Sequence, residues 1–323
     1  MPPVLSIIVP AYNAENYISQ CLDSVINVVP KSGLVEIVVI NDGSTDNTAK
    51  ILMNYVNVDF VKIITQDNSG VSVARNIGIE VSTGTYIGFL DADDYWEFVS
   101  WEQLMEFIQL DVDIIEFKIR RVNEDGSFVE SVKEPGCIES SIKVITKPLL
   151  NIIAIEGQWS FSTRFFNRRI WNGYLFPEGY YEDLRLLPII YASSNTLLAT
   201  SINLVCYRKN DSSRTQTPTI KHATDVLMAA DMFFDLSQQQ HVSFYEICAR
   251  KTYGVAVRIA SHIETEQITP HFWFLLDCFR KKAWYLFFTL DFRFLRYFLF
   301  PKLSFIFSRR KYIRSKSMTK KSP

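Results

Sequence analysis

The 323-residue chain has no cysteine pattern: Cys21, Cys137, Cys206, Cys248 and Cys278 are odd in number, widely spaced and never form Cys-x-x-Cys. That excludes a zinc ribbon and a disulfide framework, and makes a reducing cytosol the expected home. No run of 18 uncharged apolar residues occurs, so no membrane-spanning helix is expected. No Lys or Arg precedes the first apolar run, and that run meets Pro10 early. It reads as a strand rather than a signal peptide. Neither GxxxxGKS/T nor GxGxxG is present, so a P-loop and a dinucleotide fingerprint are both unsupported. Histidine is scarce. His222, His241 and His262 lack metal-ligand spacing and read as surface residues. There is no internal repeat.

The formal net charge is only -1, but the two ends differ. Residues 280–323 hold 13 Lys or Arg against one acid, Asp291, leaving 21 basic and 34 acidic side chains in residues 1–279. Opposite signs suggest two jobs.

The first hundred residues alternate strand and helix. Val4 to Val9 is a continuous β-branched run, and Val35 to Ile40, Val61 to Thr65 and Thr85 to Leu90 read as the next three strands, the set expected to be buried on both faces. Between them, Glu15 to Val28 carries Ile18, Cys21, Leu22, Val25 and Ile26 at helical spacing. Asp46 or Thr48 can start a helix bearing Ile51, Leu52 and Tyr55. Val71 to Val81 reads as a helix with Val73, Ala74, Ile77 and Val81 inward. This order implies a parallel sheet with right-handed crossovers. Ligands of such sheets sit beyond the carboxyl ends of the strands.

Polar residues gather at those ends. Tyr12, following Pro10, offers a flat ring on which a base can stack. Asp42 can accept from an imide N–H. Arg75 can pair with a phosphate or hold Asp42 in place. Taken alone, Asp42 is also explained as a turn residue and Arg75 as a solvated helix charge. The stretch Tyr86 to Trp96, YIGFLDADDYW, is the most informative. A core strand there ends in Asp91, Asp93 and Asp94, carboxylates that repel one another. Mg²⁺ or Mn²⁺ resolves the conflict, because a hard cation takes oxygens from one or two carboxylates and from substrate phosphates. The other reading is an acidic turn with Asp93 or Asp94 capping the next helix.

SIIVPAYNAENYISQCLDSV, EIVVINDGSTDNT, DNSGVSVARNIG and GTYIGFLDADDYW resemble, in order and spacing, the successive blocks of glycosyltransferase family 2, bacterial polysaccharide type. The resemblance implies an α/β, Rossmann-like GT-A fold with a mostly parallel sheet flanked by helices. It implies a nucleotide-sugar donor, uridine being the usual nucleoside. By position, Pro10, Tyr12 and Asp42 hold the nucleoside with Arg75 beside it. Asp91 and Asp93 are the DxD carboxylates, with Asp93 the direct ligand of Mg²⁺ or Mn²⁺. A nucleotidyltransferase would want a glycine-rich basic loop after strand one, and PAYNAEN is neither. A non-catalytic sugar- or lipid-binding module would not keep a full carboxylate set.

Farther on, Asp113 to Phe117 reads as a strand. Ile119 to Val122 and Ser127 to Val132 flank the turn signal Asn123 to Gly126 as a hairpin. Ile142 to Ile155 reads as a helix that Pro148 kinks or opens anew. In FPEGYYED, Glu182 and Asp183 match the family's acidic pair at a helix start, and the resemblance makes Asp183 the general base. On its own, Asp183 is also explained as a carboxylate favoured at a helix N-terminus. Tyr207, Arg208 and Ser213 resemble the YRxxxxS segment. Arg208 is either near the pyrophosphate or a solvated loop charge.

The expected partition is residues 1–215 as the transferase domain and 216–323 as a helical, aromatic and basic region. Residues 219–262 read as two amphipathic helices, and the tail after Ser308 as disordered. Residues 271–314 interleave aromatics with cations, as interfacial helices do, too charged to span a bilayer. A cytoplasmic protein lying on the inner face of the cell membrane is expected, with a glycan or lipid-linked acceptor. No base-reading motif supports nucleic acid.

Overall fold

The computed structural model describes residues 2–30, 33–124, 126–129, 140–171, 173–209, 217–284, 286 and 309. They fall into two compact units. The first comprises residues 1–146, 159–178 and 189–210; the second comprises 147–158, 179–188 and the described residues beyond 211. The partition is thus interleaved rather than made at one point near 215.

The first unit opens with β1 (Leu5–Ala11), α1 (Ile18–Ile26), β2 (Val35–Asp42), α2 (Thr48–Leu52), β3 (Val61–Gln66), α3 (Val71–Val81) and β4 (Tyr86–Phe89). All seven residues of β1 are buried, as a strand covered on both faces requires. β1 lies between β2 and β4, and β3 lies outside β2, every pair parallel. α1 buries Ile18, Cys21, Leu22 and Val25, the face read from its spacing. α3 differs from expectation. It buries Ser72, Ala74, Arg75 and Gly78, while Ile77 and Val81 are only partly covered. Gly78 is the reason: it lies so close to Ile8 that a methyl group would overlap that side chain. The helix is drawn onto β1 by its small and polar stripe, which turns Arg75 inward.

Beyond β4 come β5 (Tyr95–Trp96), α4 (Trp101–Gln109), β6 (Ile114–Val122), β7 (Ser141–Val144), α5 (Lys147–Glu156), β8 (Arg164–Asn167), α6 (Glu182–Ser193) and β9 (Thr196–Arg208). The sheet runs β3-β2-β1-β4-β8-β6-β9-β5, with β7 also on β9. β8 is antiparallel to both β4 and β6, whereas β6 and β9 run parallel. The fold is α/β, and the parallel character holds up to β4 before giving way to a mixed half.

That half departs from the sequence reading in three places. β6 does not stop at Phe117 but continues through a bulge to Val122. The Asn123 turn is present, with Asn123 N–H donating to the Ser127 carbonyl at 2.8 Å, and Val122 bridging Phe128. The expected second arm beyond Val129 lies outside the described residues. Ser141 to Val144 is a strand antiparallel to β9 rather than helix. Pro148 is the second residue of α5, where its missing N–H is not needed.

Asp113 fastens the far half at the start of β6. Its carboxylate accepts from Arg169 Nε at 2.9 Å, Asn195 N at 2.6 Å and Thr196 N at 3.1 Å. Burial alone would raise this carboxyl. The Asn195 N–H, Arg169 and the Thr196 N–H outweigh it and hold the group below its usual value. A lowered folded value stabilises the fold above the unfolded value of about 3.9, and that stability is lost as pH falls through the folded value. Asp113→Asn is therefore expected to lower the melting temperature by a constant amount from pH 7 down to about 5, and by less below about pH 4. Melting curves across pH check this; a gap that does not narrow would contradict it.

In the second unit, α7 (Ile220–Ser237) and α8 (Val242–Ser261) are the two expected helices, followed by α9 (Pro270–Lys282). Phe233 of α7 stacks on Tyr245 of α8, and Phe279 of α9 on Tyr253. His222 is a correction: it is buried, not superficial. Its ring stacks on Tyr180 at 3.5 Å, and its Nδ1 accepts from the Thr219 N–H at the start of α7. A capping role draws it inside. No helix among the described residues is long and apolar enough to cross a membrane. Most of the expected basic tail lies outside the described residues.

Candidate active site

The carboxyl ends of β1 to β3 are tied to one another by side chains. Asn13 Oδ1, just beyond Pro10 and Tyr12, accepts from Thr45 N at 2.8 Å, and Asn13 N donates to Ser44 Oγ at 3.1 Å. Ala14 N donates to Thr48 Oγ1 at 2.8 Å, and Glu15 Oε2 accepts from Asn47 N at 2.9 Å. These bonds fix the loop that carries Tyr12, whose ring stays 40% exposed and available to a flat ligand.

Asp42 ends β2 and is 2% exposed. Its Oδ1 accepts from Gln66 Nε2 at 2.7 Å and Ser69 N at 2.8 Å, and its Oδ2 from Gly70 N at 2.9 Å. The loop after β3 therefore holds Asp42. Gly43 follows at φ +68°, and a methyl there would sit 2.6 Å from Asn68 N, so only glycine lets the two loops close.

Arg75 does not hold Asp42. It is 4% exposed, which also excludes the solvated-charge reading. Its Nη2 donates to Asp91 Oδ1 at 2.8 Å, and its guanidinium lies 5.2 Å from the Phe176 ring centroid. Beside it, Ser72 Oγ donates to the Pro177 carbonyl, and Asn76 exchanges two hydrogen bonds with the backbone of Phe176.

The three carboxylates after β4 occupy three different settings. Asp91 is paired with Arg75, its side chain 37% exposed. Asp94 is 2% exposed and turned inward. Its N–H donates to the Asp91 carbonyl at 2.9 Å, closing a turn, and its Oδ1 accepts from Arg208 N at 2.9 Å. Burial first, then the charges of Asp91 and Asp93, push the Asp94 carboxyl well above its usual range. Asp93 is part-exposed. The helix-cap reading fails for both Asp93 and Asp94. β5 intervenes, and the next helix, α4, is capped by Ser100, whose Oγ accepts from Gln103 N at 3.2 Å.

Among the described residues, no three His, Cys, Asp or Glu side chains are arranged to hold an ion by themselves. The donor set fits a divalent cation of another kind, one held by one or two carboxylates and completed by substrate phosphates and water. Asp91 and Asp93 suit that role; Asp94, facing inward, does not.

Arg208 is another correction. It is 5% exposed, at the end of β9, not a solvated loop charge. The strand's alternation carries the signal, since Cys206 and Arg208 are buried and Tyr207 between them is exposed. Ser213 lies outside the described residues. The first unit thus gathers Pro10, Tyr12, Asp42, Arg75, Asp91 and Asp93. Asp183 belongs to the second, on the first turn of α6. That helix follows Tyr181 at φ +57°, and Tyr180 N donates to Asp225 Oδ2 at 2.9 Å.

The model of the family described as Glycosyl transferase family 2 matches residues 6–174. The glycosyltransferase EpsJ of Bacillus subtilis is 31% identical over 234 residues, 68% of this chain and 64% of EpsJ. The chondroitin synthase of Pasteurella multocida is 39% identical over 130 residues, 39% of this chain and 13% of that protein. The chain thus spans less than two thirds of the length of these curated relatives. The crystal structure of S. aureus TarS residues 1–349 superposes with a TM-score of 0.72 at 20% identity, covering 99% of this chain and 92% of that one. At that identity the likeness shows the fold. The same TarS segment in complex with UDP-GlcNAc superposes equally well, with a TM-score of 0.72 at 18% identity and the same coverage.

Proposed function

The chain belongs to glycosyltransferase family 2, and from that premise we propose that it moves a sugar from a uridine diphosphate sugar to a hydroxyl of a glycan or lipid-linked acceptor, with inversion and with Mg²⁺ or Mn²⁺, in cell-surface polysaccharide synthesis. The observation that carries this is the acidic loop after β4. One carboxylate is oriented by a buried arginine, one is part-exposed, and one is turned inward as a tie. The UDP-GlcNAc complex of TarS and the chondroitin synthase likeness support the donor and product class.

In this reading Tyr12 stacks on the base, with Pro10 beside it. Asp42 accepts from the imide N–H while the Ser69 and Gly70 N–H groups keep its carboxylate fixed. Arg75 keeps Asp91 aimed. Asp91 and Asp93 would hold the cation, which would supply positive charge to offset that of the diphosphate. Asp183 takes the proton of the acceptor hydroxyl, whose oxygen forms the new bond to the anomeric carbon. The old C–O bond breaks on the opposite face, and its electron pair leaves with the nucleoside diphosphate. The test is incubation with a panel of nucleotide sugars, following slow hydrolysis with and without divalent cation. Metal-dependent cleavage of a UDP-sugar is expected; release of pyrophosphate from a triphosphate would point to nucleotidyl transfer.

The C-terminal region is proposed to lie on the inner face of the cell membrane. Phe272 and Phe279 are buried and cannot serve lipid, but Phe274 is 63% and Trp284 58% exposed. The cations of the tail would each add about 1 kcal/mol near anionic lipid, screened by salt. Co-sedimentation with anionic and neutral vesicles is expected to recover the full chain on anionic lipid at low salt only. A chain ending before Phe272, which loses Phe274, Trp284 and the tail's cations, should stay in the supernatant. Equal, salt-insensitive recovery of both in the supernatant would remove the membrane role.

A further inference from the structure

Arg208 has more partners than any ordinary strand end needs. Its Nε donates to the Asp93 carbonyl at 3.1 Å, its Nη1 to the Glu124 carbonyl at 2.7 Å and its Nη2 to Gln20 Oε1 at 2.5 Å. Its backbone N–H donates to Asp94 Oδ1 at 2.9 Å. Its guanidinium carbon lies 5.1 Å from the Tyr17 ring centroid and 5.4 Å from that of Tyr95. Each guanidinium nitrogen therefore has a protein acceptor, and two aromatic faces steady the charge.

We propose that Arg208 is a positioning residue that fixes the backbone of Asp93 and Asp94, so that the Asp93 carboxylate is aimed before donor and cation arrive, rather than a ligand of the donor's diphosphate. The argument is geometric. One strand residue bonds two consecutive residues of the acidic loop, one through its side chain and one through its backbone. The same guanidinium also reaches α1, through Gln20, and the turn after β6, through Glu124. A planar fork with fixed donors can serve three acceptors at once; a lysine ammonium on a flexible stem cannot hold the same three in place. Prepaying this order matters because a catalytic carboxylate must lie close to its productive geometry. The inference rests on the proposed role of Asp93 for its catalytic meaning, but not for the contact it describes.

The experiment compares wild type, Arg208→Lys and Gln20→Ala by hydrogen exchange and by UDP titration. Exchange of the peptide spanning Asp91 to Trp96 is expected to rise at least tenfold in Arg208→Lys. A smaller rise is expected in Gln20→Ala, which removes one of the three side-chain bonds, while β1 and β2 stay protected in both. UDP affinity in EDTA should be unchanged by Arg208→Lys, and only the gain conferred by Mn²⁺ should shrink. Unchanged loop exchange, or UDP affinity in EDTA falling tenfold with the loop still protected, would overturn the proposal, the latter in favour of a phosphate ligand. If wild type gains no UDP affinity from Mn²⁺, the metal reading fails, and the exchange comparison still decides the role of Arg208.

Discussion

Asp93→Ala is expected to lower sugar transfer at least about a thousandfold, equivalent to about 4 kcal/mol of transition-state stabilisation, while leaving the melting temperature within about 2 °C of wild type. The two halves of this result come from different atoms. Asp93 is part-exposed, so removing its carboxylate takes away little packing. Arg208 bonds the carbonyl oxygen of Asp93, which alanine keeps. The carboxylate is the proposed ligand of the cation. With Asp91 already paired to Arg75, the remaining ligand would hold the ion poorly, and the departing diphosphate would go uncompensated. A transfer assay on the folded variant, beside wild type in excess chelator, checks this. Wild-type turnover in either would remove the metal assignment.

The second large effect is expected at Asp183. Asp183→Asn is nearly isosteric but cannot take a proton at neutral pH. Transfer should fall roughly a hundredfold or more, with UDP affinity unchanged. The residue sits on the first turn of a helix beside Glu182, where a carboxylate is also favoured by the helix dipole. The two accounts separate cleanly. Loss of a dipole interaction would show in the melting temperature and leave saturated turnover alone. Loss of a base would show in turnover and not in donor binding. Turnover unchanged at saturation, with donor affinity lost, would give Asp183 a binding role instead.

The order of strands and helices up to β4 is legible because both of its signals are strong. Strands buried on both faces read as continuous apolar runs, as in β1 and β2. Loops after such strands carry the site by geometry alone. The mixed half was not legible, for reasons that can be named. β8 is four buried residues, Arg164 to Asn167. Its arginine is buried by pairing with Glu116 and Tyr191, which no local pattern announces. β6 runs on from Phe117 through Lys118 into Ile119 to Val122, two runs that read as separate strands because the chain between them carries a bulge. Ile142 to Val144 is too short a run to separate strand from helix by period. At the site, the protein partners of Arg75 and Arg208 are not legible for one common reason: each side chain is buried by a contact distant in sequence, 16 positions from Arg75 to Asp91 and 115 from Arg208 to Asp93.

The order of strands in the sheet also bears on how the chain comes off the ribosome. β4 is followed in space not by β5 but by β8, and β6 finds its parallel partner only in β9, with Ile114 opposite Leu197. The four blocks that resemble the family are all synthesised by Trp96. At that moment the outer edge of β4 has no strand to pair with, and Phe89 lacks Phe161, Phe166, Trp171 and Phe176, the rings that surround it in the finished fold. Those rings arrive 65 or more residues later (161 − 96), and β9 after them. The nascent chain therefore carries an open strand edge and an unburied aromatic face for several seconds at ordinary translation rates of about 5–20 residues per second. Non-local pairing of this kind folds slowly. Its kinetic weak point is the interval before Arg208 emerges, so chaperone demand and aggregation during expression should respond to temperature and synthesis rate more than to the stability of the completed protein.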